Sequence, residues 1–181
     1  MTEPTNDPGP LAEVGVEPVG QRWTLVLTRD LGHSPEKVWS AVSDPERLRR
    51  WAPFYPDREL ASTGPVMIID NHAEDGSRTP GLVTRCEQPV LLEHSWEVDV
   101  LRWELEPTPT GTRLTLRHTL DQRHMVSQVA ARWHLCLNVA DDLLAGRPTE
   151  PILGEDAMRY GWKALEEKYA EVLGIYQDPR R

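Results

Sequence analysis

The sequence predicts an α+β domain in which a curved antiparallel sheet of six or seven strands closes over one long C-terminal helix. Three observations predict it. Two proline-led helix starts follow one another, Ser34-Pro-Glu-Lys-Val-Trp39 and Asp44-Pro-Glu-Arg-Leu-Arg-Arg-Trp51. Short segments of strand-like alternation then fill residues 57–120, with turn residues and no helical period between them. A single amphipathic stretch over 121–146 comes last, with an apolar stripe broad enough to need a sheet against it. Closely spaced strands without intervening helices make an antiparallel meander.

Residues 1–20 hold four prolines and three glycines among small and acidic side chains. Such a stretch buries too little apolar surface to offset its ordering entropy, so a mobile tail is expected over 1–21. From Arg22 to Leu31, Trp23, Leu25 and Leu27 alternate with Thr24, Val26 and Thr28, the period of a strand. Ser34 and Asp44 are N-cap residues, each followed by proline at the first helical position. The two short helices they start put Val38, Trp39, Val42, Leu48 and Trp51 on one side of a bent connector.

Strands are expected near 57–63, 65–72, 80–88, 90–98, 99–107 and 111–120, several of them separated by hairpin turns such as Asp75-Gly76-Ser77 and Pro107-Thr-Pro-Thr-Gly111. In the long helix Val126, Ala130, Trp133, Leu137, Ala140 and Leu144 recur at spacings of three and four. A further helix over 155–173 shows Met158, Trp162, Leu165, Tyr169 and Val172 on one face and stops at Gly174. The chain thus divides into a tail (1–21), a main domain (22–147), a helical extension (148–175) and a last tail (176–181).

A formal net charge of −9 argues against a nucleic-acid grip, which needs concentrated Lys and Arg. No run of about 18 apolar residues is long enough for a membrane span. The N-terminus lacks the basic start and apolar stretch of a secretory signal, so a cytoplasmic protein is expected. Cys86 and Cys136 have neither CxxC spacing nor a His/Cys cluster and read as free thiols. No metal-ligand pattern, nucleophile motif or glycine-rich phosphate loop occurs, and no cofactor is expected.

The candidate site residues follow from side-chain parity. Along the strands, Leu92, His94 and Trp96 share one face, Leu101, Trp103 and Leu105 another, and Leu114, Leu116 and His118 a third. If these faces are the concave ones, the long helix meets them with Val129, Trp133 and Leu137, and Trp51, Phe54 and Tyr55 cover one end. Seven tryptophans against one phenylalanine is a skewed aromatic usage. An indole offers a broad apolar wall and one donor, which suits a small-molecule pocket and equally an ordinary core. His94 and His118 would supply a polar spot, or would simply be satisfied by neighbouring groups.

The order of elements, with Ser34–Trp39, Asp44–Trp51, Leu92-Glu-His-Ser-Trp96, Gly111-Thr-Arg-Leu-Thr-Leu116 and Trp133-His-Leu-Cys-Leu137, resembles the START-related helix-grip (SRPBCC) superfamily. Within it the chain is similar to the group homologous to the activator of the 90-kilodalton heat-shock chaperone's ATPase. The likeness covers about residues 22–147. Relatives often carry a second aromatic and Gly-Pro after the tryptophan of the second helix, where this chain has Trp51-Ala-Pro53. The resemblance implies a cavity between sheet and long helix, and hence a non-catalytic binder of a small apolar or amphipathic molecule. It also implies two alternatives: a polyketide cyclase- or hydratase-like enzyme, and a chaperone-regulating or stress-response module acting through its surface. The helix over 155–173 is expected to cover apolar surface on the domain or on a partner subunit, the latter implying a homodimer.

Overall fold

A computed structural model describes residues 7–176. Eight strands form one antiparallel sheet: β1 (Glu13–Val19), β2 (Arg22–Leu31), β3 (Phe54–Pro56), β4 (Gly64–Asp70), β5 (Arg78–Glu87), β6 (Leu91–Trp96), β7 (Asp99–Thr108) and β8 (Gly111–Leu120). Their spatial order is β1-β2-β8-β7-β6-β5-β4-β3. Helices α1 (Pro35–Ser43) and α2 (Pro45–Leu48) bridge β2 to β3, α3 (Val126–Leu144) is the long helix, and α4 (Trp162–Leu173) ends the chain's regular structure. The helix-grip architecture is therefore present, with one or two more strands than expected.

The caps act as their residue types predict. Ser34 Oγ accepts from Lys37 N, while Asp44 Oδ1 accepts from Glu46 N at 2.8 Å and Arg47 N at 3.3 Å. Both fill donors that a helix start otherwise leaves open.

Three sequence expectations need correction. Residues 13–19, expected inside a mobile tail, pair along their length with β2. Averaged composition hid the alternation of Val14 and Val16, which pack on the core, and the turn at Val19-Gly20. Residues 57–63 are not a strand; β3 lies just before them and pairs with β4 over three residues only. The loop that follows is held instead by Arg58, whose guanidinium donates to the carbonyls of Glu59, Ser62, Gly64 and Pro65. Finally, α3 starts at Val126 rather than at Asp121, which pairs with Arg22 at 2.6 Å. The fraying expected for Gln177–Arg181 lies outside the described residues.

The predicted terminal helix is broken in two. A 3-10 segment, Gly154–Tyr160, is followed by Gly161 at φ 81°, a left-handed conformation that glycine adopts without steric cost. The turn makes Trp162 the first residue of α4. That helix lies on α3, through Ser127 Oγ donating to Glu166 Oε1 (3.1 Å) and through a hydrogen bond between Tyr169 and His134 (2.7 Å). The same tyrosine oxygen accepts from Ala12 N at 2.9 Å, so the N-terminal segment, α3 and α4 are tied at one point.

Candidate functional site

The register of the sheet decides what faces α3. His94 and His118 stand on either side of Leu101, and Leu92 and Leu116 on either side of Trp103. All six side chains point into the grip and are buried. Strand parity therefore identified the inner face correctly.

That face does not leave an open centre. Trp51, Trp103 and Trp133 meet there edge to face, with ring centroids 6.1 Å apart for Trp51–Trp103 and 5.4 Å for Trp103–Trp133. Phe54 fills the side next to His94, 5.7 Å between centroids. A buried indole N–H without an acceptor costs free energy, and here each of the three has one. Trp51 donates to the carbonyl of Ala41 (2.9 Å), Trp103 to His94 Nε2 (3.1 Å) and Trp133 to His118 Nδ1 (2.9 Å).

Because an indole N–H only donates, these bonds fix both imidazoles in their neutral form. His94 carries its proton on Nδ1 and donates to the carbonyl of Ser95 at 3.1 Å. Burial, the dominant cause, brings its pKa down to about 4. His118 carries its proton on Nε2 and donates to Asp99 Oδ2 at 2.7 Å. All four ring nitrogens are thus engaged.

The space that remains lies to one side of this cluster. A cavity of about 200 Å³, mostly apolar, is lined by Pro53, Trp96, His118, Gln128, Val129, Arg132, Trp133 and Trp162. It sits where the β6–β8 end of the sheet, α3 and the start of α4 converge. Among the described residues, Trp162 Nε1 is the one buried side-chain nitrogen or oxygen with no hydrogen-bond partner.

Of the ten candidate residues, the structure brings Trp96, His118, Val129 and Trp133 together on this cavity. Trp51, Phe54, His94 and Trp103 are sealed in the centre, each fully buried. Leu137 lies further along α3, beside a second and more polar cavity of about 470 Å³ under Pro8–Glu13 and Arg29. Tyr55 stays at the surface side of β3, with the Arg49 guanidinium over its ring at 4.9 Å. Sequence reasoning passed over Asp99, Arg132 and Trp162. Asp99 was within reach, since it shares the inward parity of Leu101 and Trp103. Trp162 was assigned to helix packing, and nothing in its spacing shows the Gly161 turn that aims it at the cavity.

Among the described residues, no group of three or more His, Cys, Asp or Glu side chains could hold a metal ion, and no helix is long and apolar enough to cross a membrane. Both cysteines are free. Burial pushes the Cys136 thiol up to about 12, which keeps it protonated and unreactive.

Solved structures share this fold. CalU16 from Micromonospora echinospora matches with a TM-score of 0.64 at 21% identity, over 89% of this chain and 96% of that one. A conserved protein of unknown function from Enterococcus faecalis, EF2215, matches with a TM-score of 0.67 at 17% identity, over 92% and 93%. Protein MLL2253 from Mesorhizobium loti is 26% identical with a TM-score of 0.59, over 68% of this chain and 97% of its own. No curated protein matches the chain. The family model described as Activator of Hsp90 ATPase homolog 1-like protein matches residues 32–145, more than half of the chain, from the turn before α1 to the end of α3. The chain therefore belongs to the Activator of Hsp90 ATPase homolog 1-like family, with β1 and α4 lying outside the matched region.

Proposed function

We propose that the protein binds a small apolar or amphipathic molecule in the cavity between the β6–β8 end of the sheet, α3 and the start of α4. The observation that carries this reading is the cavity's wall: three indoles and Val129 around about 200 Å³ of space, beside a centre that is otherwise filled. Apolar surface covered by a ligand there contributes roughly 25 cal/mol per Å². The volume is below the roughly 300–1,000 Å³ of pockets that enclose drug-sized ligands, which favours a compact ring system or the end of a longer molecule.

A catalytic reading draws on the His118–Asp99 pair at the cavity wall, a geometry that can hold and move a proton. Against it stands Trp133, which occupies the other ring nitrogen of His118. Binding without chemistry needs no such bond to break, and we adopt it.

The test uses indane, a compact bicyclic hydrocarbon, titrated against the tryptophan fluorescence of the protein and of Val129→Phe. Saturable quenching by the unsubstituted chain, weakened at least tenfold by the larger side chain, is the expected result. No saturable binding, or equal binding by the variant, would remove the cavity as a ligand site. Mass spectrometry of molecules extracted from the purified protein would then identify the natural ligand.

A further inference from the structure

The cavity's polar wall is built almost wholly of donors. Trp162 Nε1 is a donor only, and it has no acceptor. Arg132, the one charged residue on the wall, is also a donor only. Two of its five N–H groups reach the carbonyls of Ile152 and Gly154, at 3.5 and 3.4 Å. The nitrogens of His118 are both engaged. Gln128 offers a donor and an acceptor and so does not choose between ligands.

From this we infer that the ligand carries an acceptor oxygen, a carbonyl or a carboxylate, on a compact apolar ring, and that Trp162 N–H is the group that selects it. The inference rests on the cavity being the binding site. Trp162 Nε1 is closed off from solvent in the ligand-free arrangement, so pairing requires the indole to turn on its side-chain torsions. Its place at the first position of α4, half-exposed and directly after Gly161, allows that turn. The unmet N–H is itself the source of selectivity. A hydrocarbon leaves it unpaired, whereas a ligand oxygen relieves the cost of an unsatisfied buried donor.

Both donors lie at the edge of or outside the common fold of the grip. Trp162 follows the family-matched region, and Arg132 is placed by the linker it holds. The selectivity is therefore a property of this chain's extension rather than of the sheet and long helix it shares with its relatives.

Three probes of one shape test it: indane, 1-indanone and indane-1-carboxylate, each titrated into ¹⁵N-labelled protein while the indole N–H resonances are followed. The Trp162 resonance is assigned by its disappearance in Trp162→Phe. At least one oxygenated probe should bind about tenfold more tightly than indane, the factor expected of one recovered hydrogen bond. The Trp162 proton should move downfield with that probe and not with indane. In Trp162→Phe the advantage should vanish while indane binding persists, which also shows that the variant is folded. A carboxylate stronger than the ketone adds Arg132 as a second donor; a ketone stronger than the carboxylate assigns the neutral carbonyl. Oxygenated probes no tighter than indane, with indane still bound, would overturn the inference and leave the cavity reading intact. Binding by none of the three would remove both. Should Trp162→Phe fail to fold, the order of affinities and the Trp162 shift in the unsubstituted protein decide the matter.

Discussion

At the centre of the grip, Trp51, Trp103 and Trp133 each place an indole N–H on an acceptor within 3.1 Å, and two of those acceptors are neutral histidines. At the grip's open end, Trp162 has the same chemistry and no acceptor at all. The first arrangement is a closed network in which every donor and acceptor supports its neighbour, and a low local dielectric makes such a network costly to break. The second is an incomplete one beside empty space. A tryptophan count alone does not separate a core from a binding wall; the fate of each indole N–H does.

Substitutions at the two ends should diverge accordingly. The largest effect is expected for Trp103→Ala, which opens a void among Trp51, Trp133 and Phe54 and strips His94 Nε2 of its donor. A loss of about 3–5 kcal/mol in urea unfolding is the expectation. A loss below about 1 kcal/mol would mean the centre is not packed as described.

Next comes pH. His94 has a folded pKa of about 4 against 6.5 for an unperturbed histidine, because burial disfavours the charged ring. The unfolded chain therefore takes up this proton first. The contribution of the neutral ring to stability is complete above about pH 6.5 and is lost as the pH falls to about 4, a change of up to about 3 kcal/mol. Unfolding free energies measured over that window should fall more steeply for the unsubstituted protein than for His94→Gln. Parallel curves would show that His94 is not held neutral.

Trp133→Phe keeps most of the ring and removes the donor to His118 Nδ1. It should cost about 1–3 kcal/mol by thermal or urea denaturation, since a buried acceptor is left unpaired. Trp162→Phe removes a donor that has no partner and should change stability in the absence of ligand by less than about 0.5 kcal/mol. If these two changes had equal effects, the contrast between centre and edge would collapse.

The fold was legible because its determinants are local. Ser34 and Asp44 cap where their types predict, and Leu92, His94, Trp103 and His118 face inward because strand side chains alternate. The N-terminal strand was missed because its support is distant: β1 gains its hydrogen bonds from β2 and its anchor from Tyr169 on α4. The candidate site was only half legible for the same reason. Parity nominated Trp96 and His118, and helical spacing nominated Val129 and Trp133. Nothing local revealed that Trp51, Phe54 and Trp103 would fill the middle, because that depends on how α1, α2 and β3 fold back over the sheet. Trp162 reaches the cavity through a left-handed glycine, a single backbone angle that residue spacing does not encode.

A crystal of the ligand-free protein under xenon pressure tests the division most directly, since xenon enters dry apolar space and nothing else. Xenon density is expected against Trp96, Val129 and Trp162, with none among Trp51, Trp103 and Trp133. Density between those three central indoles, or an empty cavity at Trp162, would contradict it.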